Sequence, residues 1–240
     1  NDDMVVILSE NTLLTKAHIT RLSFLNIPQV YVKDEYELSP NYQSVMTIFN
    51  RSNAFAAEYR EVIREVNNIF EATTNNGEIP VEKTQTLVQD SLAPMSKQSG
   101  VIDYLYGLNH MADDLYNHSM RVSILAGVIG KWMYKKASVV NELILAGFLH
   151  DIGKTKFPPR LQSRRVETLN GEDFERYMQH TIDGSHLLNE NKKIPEGVKL
   201  AALQHHECMD GSGFPFATKG EEIHEYARII AIADLYDNIT

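Results

Sequence analysis

From Val101 to Thr240, hydrophobic residues recur at the three- and four-residue spacing that is typical of α-helices packed against a core. Turns that contain Gly, Pro or Asn interrupt this pattern. It predicts helices at about 101–135, 138–152, 172–190, 195–208 and 224–240. We therefore predict a mainly α-helical bundle for residues 100–240.

The pattern differs at the start of the chain. MVVILS (4–9) and QVYVK (29–33) are short apolar runs of the kind found in β-strands, and they flank an amphipathic helix that begins near Thr15. Residues 1–40 are predicted to form a small α/β accessory domain.

Residues 41–99 connect this domain to the bundle. Helical stripes at 42–72 and 81–93 are separated by NNGEIP (75–80). We interpret the two helices as a connector that also forms an outer wall of the bundle, and such a connector favours a homodimer.

Composition and charge narrow the classes of function. A net charge of −9 disfavours binding to DNA or RNA, because nucleic-acid-binding proteins usually present a basic face. The single cysteine, Cys208, excludes an intrachain disulfide and favours a reducing, cytoplasmic location. No apolar run is long enough to predict a membrane span. Because the chain starts with Asn1 and Thr240 falls within a helical pattern, we expect a fragment of a longer protein.

The segment LAGFLHDIGKTKFP (145–158) carries the first candidate chemistry. An apolar helical run ends in His150 and Asp151, and Gly153 follows as the predicted stop. Hydrophilic side chains at the end of a buried helix must be paired or must bind a ligand. Two interpretations remain open for these residues alone: a buried ion pair, or two ligands of a metal.

Further His and Asp residues follow at intervals of about one helix plus one turn, so successive helices would each lend a ligand to one interior point. The candidate ligands are His118, His150, Asp151, His180, His205, His206 and Asp234. They are too many for one ion, so we predict two divalent ions that share a bridging carboxylate, with His205 and His206 on opposite sides. Imidazole and carboxylate ligands without a thiolate suit iron or manganese, with nickel or zinc as alternatives, and argue against a structural zinc site.

Asp114 is a further candidate. It precedes His118 by four residues and is predicted to lie on the same face of one helix, where it would bind a third ion. Asp237 lies one turn after Asp234 and is predicted to face solvent, the alternative being a partner for a ligand. The other residues of this type are predicted to lie at the surface: His110, Asp113, His186 and His224.

Taken together, five motifs resemble the HD-GYP family of bacterial cyclic di-GMP phosphodiesterases, a branch of the HD-domain metal phosphohydrolases. They are NHSMRVS (117–123), AGFLHDIGKTKFP (146–158), MQHTIDG (178–184), HHECMDGSGFP (205–215) and IIAIADLYDNIT (229–240). An HD pair alone is a weak signal, whereas HHE followed by DGSG-F-P is a specific one. The segment MVVILSENTLLTKAHITRLSFLNIPQVYV (4–32) also resembles the small N-terminal domain that is often found ahead of this family's catalytic domain.

The resemblance implies that the seven His and Asp residues bind metal, that Asp151 and Lys154 are catalytic, and that Lys154 contacts the substrate phosphate. The loop that contains Gly211, Gly213, Phe214 and Pro215 would shape the substrate cleft. The implied reaction is the hydrolysis of cyclic di-GMP to linear pGpG, to GMP or to both. Three alternatives stay open: a receptor that binds the dinucleotide with little turnover, a phosphodiesterase for another cyclic dinucleotide such as cyclic GMP-AMP, and a scaffold whose function does not depend on His150. A diguanylate cyclase-type protein is an expected partner.

The sequence departs from the family pattern in three places. Phe214 stands where the GYP signature has tyrosine, so the phenol hydroxyl is lost. Asp114 replaces the glutamate of members that resemble a three-metal site, and its reach is shorter. The chain ends directly after the Asp234 motif, so we expect the catalytic domain to be incomplete at its C-terminal end.

Overall fold

The computed structural model describes residues 16–24, 40–108, 114–162, 169 and 171–240, and regular structure within these ranges is entirely helical. The chain divides into two compact units, residues 1–47 and 48–240. In the first unit, the helix predicted near Thr15 is present as α1 (Lys16–Phe24). The two predicted strands, 4–9 and 29–33, lie outside the described residues, so the described part does not support an α/β domain.

The remaining helices lie in the predicted connector and the predicted bundle, and those from Val101 onward confirm that the bundle is mainly α-helical. In chain order they are α2 (Pro40–Asn76), α3 (Val81–Leu87), a π-helical turn (Val88–Leu92), α4 (Ala93–Ser96), α5 (Val101–Gly107), α6 (Leu115–Trp132), α7 (Ala137–Leu149), a 3₁₀ turn (Ile152–Lys156), α8 (Pro159–Gln162), α9 (Gly171–Asn189), α10 (Glu196–Gln204), a second 3₁₀ turn (Gly220–Glu222) and α11 (Glu225–Ile239). None of the described helices combines the length and the apolar character needed to cross a membrane.

Helix α7 lies at the centre of the bundle, because its sequence is apolar on nearly every face. It packs against α6, α10 and α11. At Gly147 the backbone of α7 comes so close to α6 that a Cβ atom would lie 2.8 Å from the Cα of Ser123. This approach places the C-terminal end of α7, which carries His150 and Asp151, deep among the other helices.

Residues of the predicted connector belong to the same hydrophobic core. Phe55 and Phe70 of α2 are fully buried, and the ring of Phe70 meets that of Phe148 on α7 edge to face, with 5.4 Å between centroids. Within the unit 48–240, these helices therefore form one wall of the bundle.

The helix predicted at 101–135 is wrong as a single element, because α5 ends at Gly107 and α6 begins at Leu115. Asp114 has extended backbone angles (φ −120°, ψ 165°) and caps α6. Its carboxylate accepts hydrogen bonds from the backbone N–H groups of Tyr116 (3.1 Å) and Asn117 (2.8 Å), which have no partner within the helix. Hydrophobic periodicity continued across this break and concealed it. The predicted helix 195–208 likewise ends earlier, at Gln204.

Candidate metal centre

The centre begins where α7 ends. His150 continues the helical backbone, Asp151 leaves it, and both side chains are buried. Helix α7 ends at Leu149, before Gly153, and Gly153 lies within the first 3₁₀ turn, so it is not the residue that ends the helix as predicted. Instead it allows that turn to touch α9: a Cβ atom on Gly153 would lie 2.6 Å from the backbone nitrogen of Gly184 and closer still to the carbonyl oxygen of His180. Only glycine permits this approach, which brings Asp151 next to His180.

Candidate ligand atoms from distant parts of the chain meet around Asp151. One group contains Asp151, His180, His205 and His206, and a second contains His118, His150 and Asp151. Within each group one ligand atom from every residue lies within 4.8 Å of the others. Asp151 is therefore common to both groups.

The two carboxylate oxygens of Asp151 face different groups. Asp151 Oδ1 lies 3.2 Å from His180 Nε2 and 3.7 Å from His205 Nε2. Asp151 Oδ2 lies 3.4 Å from His150 Nε2 and 3.6 Å from His118 Nε2. This is the arrangement of a carboxylate that bridges two cations.

The structure brings the remaining predicted ligands to the same place, with one difference. Asp234 of α11 is mostly buried, and its Oδ1 lies 3.1 Å from His118 Nε2. His205 and His206 are not on opposite sides as predicted, since both belong to the group of His180 and their ring centroids are 4.2 Å apart. Both follow the end of α10, where the backbone turns the two rings toward α9.

Hydrogen bonds fix the orientation of four imidazoles. The Nδ1 atoms of His150, His180 and His205 lie 2.7, 2.5 and 3.0 Å from the carbonyl oxygens of Gly147, Tyr177 and Ala202, each on the residue's own helix. In His118 the Nδ1 atom lies 2.8 Å from a carboxylate oxygen of Asp237. Each Nδ1 therefore carries a proton, and each Nε2 is directed at the centre.

The residues fit divalent cations by two further criteria. His150 Nε2 and Asp151 Oδ1 are buried without a hydrogen-bond partner of good geometry, which is costly unless each of them binds a ligand. Burial lowers the pKa of His180 to about 4 and also lowers the pKa values of His205 and His206, so these imidazoles stay neutral. Burial alone would raise the pKa of Asp151, but Lys154 and the surrounding imidazoles hold it well below its usual value. These three imidazoles and the Asp151 carboxylate are thus in the forms that bind metal. Burial lowers the pKa of His118, but the Asp234 and Asp237 carboxylates outweigh this effect and raise it to about 9.

Lys154 is buried beside the bridging carboxylate. Its Nζ lies 2.5 Å from Asp151 Oδ2, 3.5 Å from the Tyr177 hydroxyl and 4.8 Å from the centre of the Tyr177 ring. Burial lowers the pKa of Lys154, but the Asp151 carboxylate outweighs this effect and raises it above the ordinary value. A positive charge is therefore held at the edge of the centre.

The loop predicted to shape the substrate cleft is folded back onto the centre. Phe214 stacks on the His206 ring, with 4.6 Å between centroids and 28° between planes. A Cβ atom on Gly213 would lie 2.5 Å from the Cα of Glu207, so the loop touches the HHE segment directly. Gly211 adopts a left-handed backbone (φ 82°), and the Phe214–Pro215 peptide bond is cis.

Sequence reasoning missed Glu207, which holds this loop. Its buried carboxylate accepts hydrogen bonds from the backbone N–H groups of Phe216 (2.8 Å) and Thr218 (3.0 Å). The residue belongs to the HHE motif quoted above, but the motif alone indicated no role for it. Several unpaired backbone donors of such a loop need an acceptor.

Other predictions meet different outcomes. Asp237 does not face solvent: its side chain is only 5% exposed and contacts both His118 and Arg121. Asp114 is not brought into either ligand group, because its carboxylate caps α6. His186 is exposed as predicted, whereas His224 caps α11 by accepting from the backbone N–H of Tyr226 at 3.1 Å. His110 and Asp113 lie outside the described residues.

These contacts define the class of the protein: an α-helical domain with a buried centre of imidazoles and carboxylates that can hold divalent metal ions. A model of the HD-domain family matches residues 108–240, which is more than half of the chain. The chain therefore belongs to the HD-domain family, and the resemblance stated from its motifs is confirmed.

Named relatives agree with this assignment. The chain is 30% identical over 154 residues to a cyclic di-GMP phosphodiesterase of Pseudomonas aeruginosa, which covers 64% of the chain and 37% of that protein. It is 37% identical over 139 residues to a cyclic di-GMP phosphodiesterase of Thermotoga maritima, covering 57% of the chain and 38% of that protein. A 3′3′-cGAMP-specific phosphodiesterase of Vibrio cholerae is 30% identical over 128 residues, covering 52% of the chain and 28% of that protein.

A solved structure shares the fold. An HDG"Y"P protein from Bdellovibrio bacteriovorus superimposes with a TM-score of 0.63 at 19% sequence identity, covering 75% of the chain and 58% of that protein. The chain thus spans well under half the length of the two cyclic di-GMP phosphodiesterases described above.

Proposed function

We propose that the chain is a metal-dependent phosphodiesterase that hydrolyses cyclic di-GMP to linear pGpG, to GMP or to both, in bacterial second-messenger signalling. The observation that carries this proposal is the position of Asp151, whose two oxygens face two separate groups of imidazoles. The relatives named as cyclic di-GMP phosphodiesterases support the class of substrate.

In this proposal the ligand groups hold two divalent ions, with iron or manganese favoured by the donor set. When bound, such a pair supplies a water of lowered pKa and stabilises negative charge on a phosphoryl oxygen. His118, His150 and Asp234 would hold one ion, and His180, His205 and His206 the other, with Asp151 between them. Elemental analysis of protein purified without oxygen tests the number and identity of the ions.

Lys154 is proposed to contact the scissile phosphate. Its ammonium group is buried at the edge of the centre, where a cation stabilises charge that develops on phosphoryl oxygens. Asp151, whose Oδ2 atom lies 2.5 Å from Lys154 Nζ, is proposed to orient the reacting groups. Hydrolysis adds water across one P–O3′ bond and leaves a 5′-phosphate, which gives pGpG; a second hydrolysis gives GMP.

The loop from Gly211 to Pro215 is proposed to form the wall of the substrate cleft. Phe214 presents an aromatic face but no hydroxyl, and its ring is held against His206. Any contact of the substrate with this position would therefore be apolar or stacking.

A product time course with metal-reconstituted protein tests the reaction. We expect pGpG or GMP from wild-type protein and a loss of at least about 100-fold in kcat/KM for His180→Ala, because one ion loses a ligand. His186→Ala is the matched control, since His186 is exposed on the same helix. Tight dinucleotide binding with no product would instead support the receptor alternative.

The second candidate substrate is cyclic GMP-AMP. It is favoured by the 30% identity to the 3′3′-cGAMP-specific phosphodiesterase of Vibrio cholerae. Side-by-side kcat/KM values for the two dinucleotides decide between them. Self-association through residues 41–99, a diguanylate cyclase-type partner and a cytoplasmic location remain predictions, which sedimentation, pull-down and fractionation would test.

A further inference from the structure

The Nδ1 atom of four imidazoles in the centre has a hydrogen-bond partner, which is a backbone carbonyl oxygen in three of them and a carboxylate oxygen in His118. His150, His180 and His205 use carbonyl oxygens of their own helices, so their orientation follows from local helix geometry. The Nδ1 atom of His118 lies instead 2.8 Å from Asp237 Oδ2, on a helix 119 residues further along the chain. A carboxylate is a stronger acceptor than a carbonyl, and it makes the opposite nitrogen a better metal ligand.

Asp237 is itself held in place. Arg121 donates from Nε to Asp237 Oδ1 at 2.6 Å and from a terminal nitrogen to Asp237 Oδ2 at 3.0 Å. The side chains of Arg121 and Asp237 are 8% and 5% exposed, so water screens this pair little. A two-point contact of this kind fixes the plane of the carboxylate as well as its position.

Helix α11 therefore contributes two carboxylates one turn apart, with different roles. Asp234 Oδ1 lies 3.1 Å from His118 Nε2, on the side of the ring that faces the centre. Asp237 lies on the opposite side of the same ring, at Nδ1. The first is placed as a ligand and the second as a support.

We propose that Asp237, held by Arg121, is a positioning residue that fixes His118 as a metal ligand and sets the affinity of the ion position on the side of His118 and His150. This inference rests on the proposed metal centre. It makes the two ion positions unequal, because on the other side His180 and His205 have carbonyl partners in place of a carboxylate.

The experiment titrates Mn²⁺ into the metal-free full chain and its variants, with calorimetry to resolve two dissociation constants. We expect Asp237→Ala to weaken one of them by about 10- to 100-fold and to change the other by a much smaller factor. Asp237→Asn keeps an acceptor for Nδ1 and should recover part of the loss. Glu225→Ala is the matched control: it removes another α11 carboxylate, which pairs with Lys135 at 2.7 Å, and should change neither constant.

A double-mutant comparison separates positioning from packing. If Asp237 acts through His118, Asp237→Ala causes no further loss of Mn²⁺ affinity in a His118→Ala background. A further loss in that background, an equal weakening of both ions, or no effect of Asp237→Ala would each overturn the proposal. Wild-type protein that binds no Mn²⁺ would overturn the metal centre as well, and this failure is distinct because it appears before any variant is made.

Discussion

Replacement of Gly153 by alanine tests the contact that brings the 3₁₀ turn against α9. The added Cβ atom would lie 2.6 Å from the backbone nitrogen of Gly184, where ordinary contacts begin at 3.4 Å. The obstacle is backbone, so no side chain can rotate away, and the turn must move by roughly 0.8 Å or more to restore an ordinary contact. Asp151 precedes this turn, and His180 lies on the helix from which it would be pushed.

Two consequences follow from that displacement. Overpacking of this kind costs about 1–3 kcal/mol of the free energy of unfolding. A shift approaching 1 Å between Asp151 and His180 should lower kcat by about 100-fold and remove one metal ion. Urea denaturation, metal analysis and the product assay measure the three effects.

Gly107→Ala is the control, because its Cβ atom would have no neighbour within 4 Å and its backbone is not left-handed. We expect this variant to match the wild type in all three measurements. Wild-type stability and a full complement of metal in Gly153→Ala would refute the reasoning.

Three further predictions follow from contacts around the centre. Asp114→Ala should lose about 1 kcal/mol of stability through the helix cap and leave the metal count unchanged, whereas a count lower by one would support the third-ion site. In metal-free protein burial lowers the pKa of His180 to about 4, against 6.5 for an unperturbed imidazole, so its contribution to stability is present above pH 6.5 and is lost as the pH falls towards 4. Urea titrations at several pH values should show up to about 3 kcal/mol of unfolding free energy lost through this group. An unfolding free energy that does not change over this pH range would contradict the lowered pKa. Tyr177→Phe keeps the ring beside Lys154 and should cost under about 1 kcal/mol of unfolding free energy, while Tyr177→Ala removes the ring and should cost about 3–5 kcal/mol. Equal losses in denaturation curves would show that the packing of the ring does not contribute to stability.

Much of the metal centre was predictable from the sequence because its ligands lie at the ends or on the faces of strongly periodic helices. His150 and Asp151 follow an apolar run that must be buried, and His180 lies within a clear helical pattern. Taken alone, each of these residues could equally be a hydrogen-bonded or ion-paired residue with no metal. Their succession along the chain, and the HHE-DGSG-F-P motif, raised the metal interpretation above this alternative.

The supporting contacts were not predictable, because they depend on how helices distant in sequence are oriented. Asp237 has the spacing of a solvent-facing residue, and only the packing of α11 against α6 turns it toward His118. Asp114 fits the periodicity of a helix interior, yet a short carboxylate before several free N–H groups is equally suited to a cap. Gly153 looked like a helix stop because sequence cannot show that another helix passes next to it.

A single carboxylate that serves both ligand groups makes the two ion positions thermodynamically dependent on each other. An ion at either proposed position would order the Asp151 carboxylate and compete with a proton and with Lys154 for it. Each binding event would therefore change the affinity of the other by the same factor. If ordering outweighs the repulsion between the cations, occupancy rises steeply over a narrow range of metal concentration. Occupancy of the proposed centre would then respond to metal concentration as a threshold instead of gradually.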